Sequence, residues 1–274
     1  MKIKILILSV LSAFLFSCNN NSLKEVDENA SKNDSNEISN EKPERNTIYK
    51  IPSPFELYNL LEIADVKYNS ALMNKKENIN NYQTQYKQAL NLGIYASDVA
   101  YSVIYKDTKL TLDYFNAAKT LANNLNLIDG FDENLTKRIE ANMNNSDSLY
   151  IITTDSYLEI SNSLQAKNNN TLPLIIAGGW VEELYIATKT INNYTLDNPV
   201  ITVIADNQLT LDNLINFIKG STLDDNTKLI LKQLVELQTI YDETYENTED
   251  VILTEGQLKK ISKKIELIRN EIIK

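Results

Sequence analysis

Gln88-Ala89-Leu90-Asn91-Leu92-Gly93-Ile94-Tyr95-Ala96-Ser97-Asp98-Val99-Ala100-Tyr101-Ser102-Val103-Ile104-Tyr105 fills the interval between Lys87 and Lys106, and Asp98 is its only charge. A second such run, 168–188, lies between Lys167 and Lys189 and carries only Glu182 and Glu183. Acids near the middle, with Asn and Gln residues among them, are costly in a bilayer core, so neither run reads as a membrane span. Both read as central helices buried on more than one face. The chain is therefore expected to be all-α, with its other helices packed around these two.

Working outward, helical periodicity and caps recur along the body. Ser53-Pro54-Phe55-Glu56 has the pattern of a capping box with proline at the first helical position. Leu57, Leu61, Ala64, Tyr68 and Leu72 then form one apolar stripe, which predicts a long first helix. A second helix is expected over about 79–105. A third follows Asp107-Thr108, with Leu110, Tyr114, Ala118, Leu121 and Leu125 in phase. A short fourth spans 132–142, and a fifth runs over 148–167 after Asn144-Asn145-Ser146-Asp147. The sixth starts at Leu172-Pro173 and ends near Ile191; others fit 199–219, 224–246 and 255–273. Val200-Ile201-Thr202-Val203-Ile204 is the one β-branched run that reads alternatively as a strand. Six glycines and five prolines are too few for a turn-rich sandwich or barrel. Loops of two to eight residues imply antiparallel neighbours, hence an antiparallel bundle or array of about eight to nine helices.

Gly93-Ile94-Tyr95-Ala96-Ser97-Asp98-Val99 aligns with Gly178-Gly179-Trp180-Val181-Glu182-Glu183-Leu184, and Leu57-Tyr58 with Leu149-Tyr150. Such internal similarity is the mark of a repeat. On that reading the body (51–274) is two related units, 53–143 and 146–246, plus a terminal helix at 255–273.

Two features of the central runs stand out. Ala89, Gly93, Ala96 and Ala100 make a small-residue row, and Gly178 and Gly179 likewise admit a close neighbour; glycine inside a helix costs roughly 1 kcal/mol against alanine, so packing or a ligand must compensate. On an adjacent face Tyr95, Asp98, Tyr101 (or Ser102) and Tyr105 follow one another at helical spacing, while Trp180 and Glu183 are one turn apart. In one reading the acids Asp98, Glu182 and Glu183 are buried anchors, hydrogen-bonded to tyrosines or paired with a cation, because unpaired burial of charge is too costly. Arg138 is the only arginine within the repeat region and is the expected partner; Arg45 and Arg269 lie outside it. In the other reading Asp98 and Glu183 face one another across a cleft lined by Tyr95, Tyr101, Trp180 and Tyr185, as a sugar or small-ligand site requires. Paired carboxylates also permit glycoside hydrolysis, which needs no histidine. An oxygen-ligand cation site has no supporting EF-hand spacing, and neither a metal nor a cofactor is expected.

The chain has no histidine, which excludes Ser-His-Asp and Cys-His catalysis and ordinary zinc sites. Cys18 is the only cysteine, so no intrachain disulfide forms. It ends a basic start, Met1-Lys2-Ile3-Lys4, and an apolar run from Ile5 to Phe16 broken only by Ser9 and Ser12. That run is too short for a bilayer core and reads as a signal peptide, 1–17. From Asn19 to Lys50 the chain is polar and acidic with few large apolar residues, which predicts a tether over 18–50. Loss of Lys2 and Lys4 takes the net charge from −10 to −12, a poor match for nucleic acid or for anionic lipid headgroups.

Leu15-Phe16-Ser17-Cys18 resembles the lipobox of bacterial lipoproteins, with Phe16 where a small residue is usual. The resemblance implies acylation and cleavage at Cys18, and a multiply acylated cysteine anchors stably. Lys24-Glu25-Val26-Asp27-Glu28 is similar to the acidic export signal of Bacteroidota lipoproteins, though further from the cysteine than usual. With Gly93-Ile94-Tyr95, Arg138-Ile139-Glu140-Ala141-Asn142, Asp147-Ser148-Leu149 and Ala177-Gly178-Gly179-Trp180-Val181-Glu182, the chain resembles all-helical lipoproteins of Bacteroidota over residues 55–245. That likeness implies a helical fold and an envelope address, with the outer membrane first, facing either the periplasm or the surface. It implies no activity. The expected role is a non-enzymatic binding or scaffold module, held to the membrane through lipidated Cys18 and meeting an envelope protein or a small ligand. A glycan-active hydrolase using Asp98 and Glu183 is the alternative.

Overall fold

The computed structural model describes residues 51–274 except 128–130, 132, 168 and 249–250. The expected signal peptide, the lipidation site Cys18 and the tether fall outside the described residues. Among the described residues there are nine α-helices: α1 (Pro54–Ile63), α2 (Gln85–Ile104), α3 (Thr108–Asn124), α4 (Glu133–Ala141), α5 (Ser146–Ala166), α6 (Leu172–Lys189), α7 (Pro199–Lys219), α8 (Asp225–Asp242) and α9 (Glu255–Ile272). Short 3-10 helices occupy Ser70–Leu72, Lys76–Asn81 and Glu243–Glu246, and no strand occurs among the described residues. The protein is all-α, as its periodicity predicts. Among the described residues no helix is long and apolar enough to cross a membrane.

Local chemistry explains most helix starts. The orphan amides of a first turn need acceptors, and a capping side chain contributes about 1 kcal/mol. Thr84 accepts from Lys87 N, Asp107 from Leu110 N, Asn145 from Ser148 N, Asp224 from Thr227 N and Thr254 from Gln257 N. Glu56 Oε1 completes the box at α1 by accepting from Ser53 N at 3.2 Å. Asn198 caps α7 and Pro199 opens it, so the β-branched run 200–204 is helical rather than a strand.

The ends of α1, α2 and α3 share a device that sequence did not announce. Asp65, Lys106 and Asn126 take positive φ of 55°, 61° and 57°. After each, an amide reaches back to close the helix: Val66 N to Leu61 O, Asp107 N to Ser102 O and Leu127 N to Ala122 O. These are Schellman caps built without glycine. The first ends α1 at Ile63, so the expected stripe through Tyr68 and Leu72 is not one helix. Likewise the second expected helix, over 79–105, is a 3-10 turn followed by α2 from Gln85.

The two low-charge runs form the centre. In α2, 15 of 20 residues are buried, and in α6, 14 of 18. They cross where glycines remove the side-chain spacer: a Cβ on Gly93 would fall 1.8 Å from Ile175 O, and one on Gly178 would fall 1.9 Å from Leu90 O. The matched glycines of the expected repeat thus meet at one crossing. Around this pair, α3 packs on α2, α1 lies across both, α7 and α9 pack on α6, and α8 bridges α7 and α9. Lys87 caps the carboxyl end of α9 by donating to Glu271 O and Ile272 O, and Asn91 Nδ2 adds a bond to Ile272 O at 3.0 Å. A cation at that end also meets the negative pole of the helix dipole.

Candidate functional site

Between α1 and α2 the chain runs through residues 64–84 with little regular structure, so its peptide groups need partners from elsewhere. The polar face of α2 supplies them in order. Tyr105 Oη donates to Val66 O (2.9 Å), Tyr101 Oη accepts from Asn69 N (3.0 Å), Asp98 Oδ2 accepts from Asn74 N (3.2 Å) and Tyr95 Oη donates to Lys75 O (3.0 Å). Moving towards the start of α2, these side chains meet successively later residues of the segment, which lies as a strap along the helix. Asn74 Nδ2 donates to Tyr82 Oη at 2.9 Å, and Gln88 Nε2 donates to Tyr82 O at 3.0 Å. The tyrosines also pack on one another: Tyr101 contacts Tyr58, Tyr68 and Tyr105 at ring-centroid separations of 4.9–5.0 Å.

The cation that enters this cluster is Arg269 of α9. Its Nε and Nη2 donate to Glu182 Oε2 and Oε1 at 2.5 and 2.7 Å, and Nη2 also donates to Leu72 O at 3.0 Å. The guanidinium carbon stands 4.1 Å from the centroid of the Tyr185 ring. Bidentate pairing plus aromatic stacking is geometry that lysine cannot reproduce. Burial opposes the Arg269 charge, yet Glu182 outweighs it by charge and hydrogen bonding and raises the arginine pKa.

Asp98 lies within hydrogen-bonding reach of Glu182 and is completely buried. Burial first, and the neighbouring Glu182 charge second, push its pKa well above the carboxylate range, against a lowering by Arg269. Its Oδ1 has no hydrogen-bond partner as a carboxylate. A proton on Asp98 resolves both facts, since the neutral acid can donate to Glu182.

Glu183 points elsewhere. It is buried, accepts no hydrogen bond among the described residues, and has its pKa raised by burial and by Glu56 of α1. Its field also reaches the Tyr58 and Tyr157 hydroxyls. Tyr58 Oη shares a 2.7 Å hydrogen bond with Ser97 Oγ.

The expected residues therefore separate. Tyr95, Asp98, Tyr101, Glu182 and Tyr185 belong to the strap-and-arginine cluster. Trp180 faces α7, where its Nε1 donates to Asn207 Oδ1 at 2.9 Å. Arg138 is exposed on α4, so it is not the partner of the buried acids; Arg269 holds that place. Arg138 is the partner only if the pair lies inside the repeat; instead α9, beyond the repeat, folds back onto α6. A signal for Arg269 was present: Ile261, Ile265, Ile268, Arg269 and Ile272 occupy one buried face of α9, so the arginine lies in phase with an apolar stripe. Asn74 and Ser97 gave no comparable sign.

A separate recess of about 70 Å³ lies among α2, α3, α4, α5 and α6, with Phe55 of α1 also in its wall, and none of Asp98, Glu182 and Glu183 lines it. Among the described residues no group of three or more acids or cysteines is placed to hold a metal ion. No family model matches the chain, and neither a curated protein nor a solved structure is similar to it.

Proposed function

We propose that this chain is a lipid-anchored envelope protein whose helical body is a non-catalytic binding or scaffold module. The observation that carries the reading is the occupation of the buried acids. Asp98 accepts from the strap and abuts Glu182, Glu182 is held by Arg269, and Glu183 lies away from the recess. Hydrolysis by a carboxylate pair needs both groups on an open site with room for substrate and water. Asp98 and Glu183 are both buried, which supports the non-catalytic reading over the glycan-hydrolase alternative.

The anchor rests on the basic start, the apolar run and Cys18. A net charge of −10 would repel the chain from anionic headgroups, so attachment falls to the lipid. Expression in a bacterial host with an alkyne fatty acid should label the wild-type chain and bring it down with membranes. Cys18→Ser should abolish labelling and release the protein from the membrane pellet. Labelling that survives the substitution would refute the anchor.

A further inference from the structure

We propose that the recess among α2, α3, α4, α5 and α6 is a binding site for a single alkyl chain, the hydrocarbon tail of a lipid or fatty alcohol. This deepens the binding-module reading above and is independent of the anchor. The site is a cavity of about 70 Å³ walled by Ala96, Phe115, Phe131, Ile139, Tyr157 and Leu164, and none of the described residues that line it is charged. An apolar cavity stays dry and accepts apolar guests, unless polar groups in its wall hold water.

Two hydroxyls in this wall spend their protons on their own helix. Thr153 Oγ1 donates to Leu149 O at 2.6 Å and Ser156 Oγ donates to Ile152 O at 2.7 Å. Neither proton is then free to read a polar ligand, and the rest of the wall is mostly hydrocarbon and aromatic ring.

Access is visible in α2. From Ala89 to Ile104 every residue is buried except Ala96, which keeps intermediate exposure. Tyr157, Ile160 and Ser161 of α5 and Ile175 of α6 line the same cavity and are also partly exposed, so these residues mark a mouth between α2, α5 and α6. The lining follows α5 from Thr153 to Leu164, roughly 16 Å at the rise of an α-helix. A site so extended for so small a volume is narrow, which suits a chain rather than a compact ring. With no cation among the described lining residues, a polar head is expected to stay outside the mouth.

The test uses the full chain carrying Cys18→Ser, titrated with 1-dodecanol against a neutral naphthylamine fluorophore. Saturable one-to-one displacement is expected. Ala96→Phe, which fills the cavity from α2, should weaken it roughly tenfold or more. Ser161→Phe, which obstructs the mouth from α5, decides the matter if Ala96→Phe does not fold. Leu209→Ser, at an exposed position on α7, should bind like the parent. Non-saturating uptake, or equal affinity in folded Ala96→Phe and Ser161→Phe, overturns the proposal. Repeating the titration with the acylated chain separates two sources of the tail: blocked binding places the chain's own lipid in the site, and unchanged binding assigns it to an outside lipid. Because the titrated protein has no Cys18 thiol, failure of the anchor and failure of this site are read independently.

Discussion

Arg269 shows how much one side chain can join. It ties α9 to α6 through Glu182, to the strap through Leu72 O, and to Tyr185 by stacking. Truncating one partner of a buried pair leaves the other charge without compensation, which costs about 3–5 kcal/mol. Arg269→Met should lose that much stability in urea unfolding at neutral pH. Arg269→Lys should recover only part of it, since an ammonium cannot make the paired contact. Arg138→Met, exposed on α4, should stay within about 0.5 kcal/mol of wild type. Equal losses at 269 and 138 would dissolve the assigned role. The existence of a buried cation partner was legible in the sequence, because three acids lie in low-charge helices. Its identity was not, because the pair spans 87 residues and no local rule selects a partner that far away.

Helix packing depends on how closely backbones approach, and here two glycines set that distance. A Cβ on Gly93 or Gly178 would collide with a backbone carbonyl of the opposing helix, where no rotamer change gives relief. Gly93→Ala and Gly178→Ala should therefore force α2 and α6 apart and lose at least about 1–3 kcal/mol, as overpacked cores do. At Gly220 the nearest atom to an added Cβ is 3.5 Å away, and its φ of −75° suits any residue. Gly220→Ala should be neutral or stabilising by up to about 1 kcal/mol. Melting temperatures of the three variants check the contrast; a Gly93→Ala protein that melts with wild type would contradict the crossing. The small-residue row marked α2, and Gly178 with Gly179 marked α6, as helices that admit a close neighbour; that they are each other's neighbour came from the tertiary structure. The boundary of α1 escaped notice because Asp65 and its successors close the helix by a left-handed turn that usually advertises itself with glycine.

For the molecule as a whole, buried acids make stability depend on pH in an uncommon direction. Glu183 and Asp98 have folded pKa values above their unfolded ones. Between those values the native state binds more protons than the unfolded state, so stability falls as pH rises from about 4 upward. At more acid pH this contribution is fully present. Glu183→Gln removes the Glu183 part of the loss, so the melting temperature of the variant relative to wild type should climb between pH 5 and pH 8. Two parallel pH profiles would mean that Glu183 does not titrate within this range. Self-repulsion at a net charge of −10 weakens as acids are protonated and acts in the same sense, but it is shared by both proteins and cancels in the comparison.

The amino-acid sequence alone determined the all-α class, most helix limits, the two buried central helices and the polar face of α2. These follow from periodicity and from caps, which are interactions between residues a few positions apart. The tertiary structure decided what the polar face is for. Tyr95, Asp98, Tyr101 and Tyr105 hold the backbone of a strap whose course no pattern foretells, and Arg269 arrives only because α9 folds back onto α6. The apolar recess is likewise a product of assembly, since side chains of six helices must pack imperfectly before a cavity exists. Periodicity states which face of a helix leaves water; only the packed chain states what that face meets.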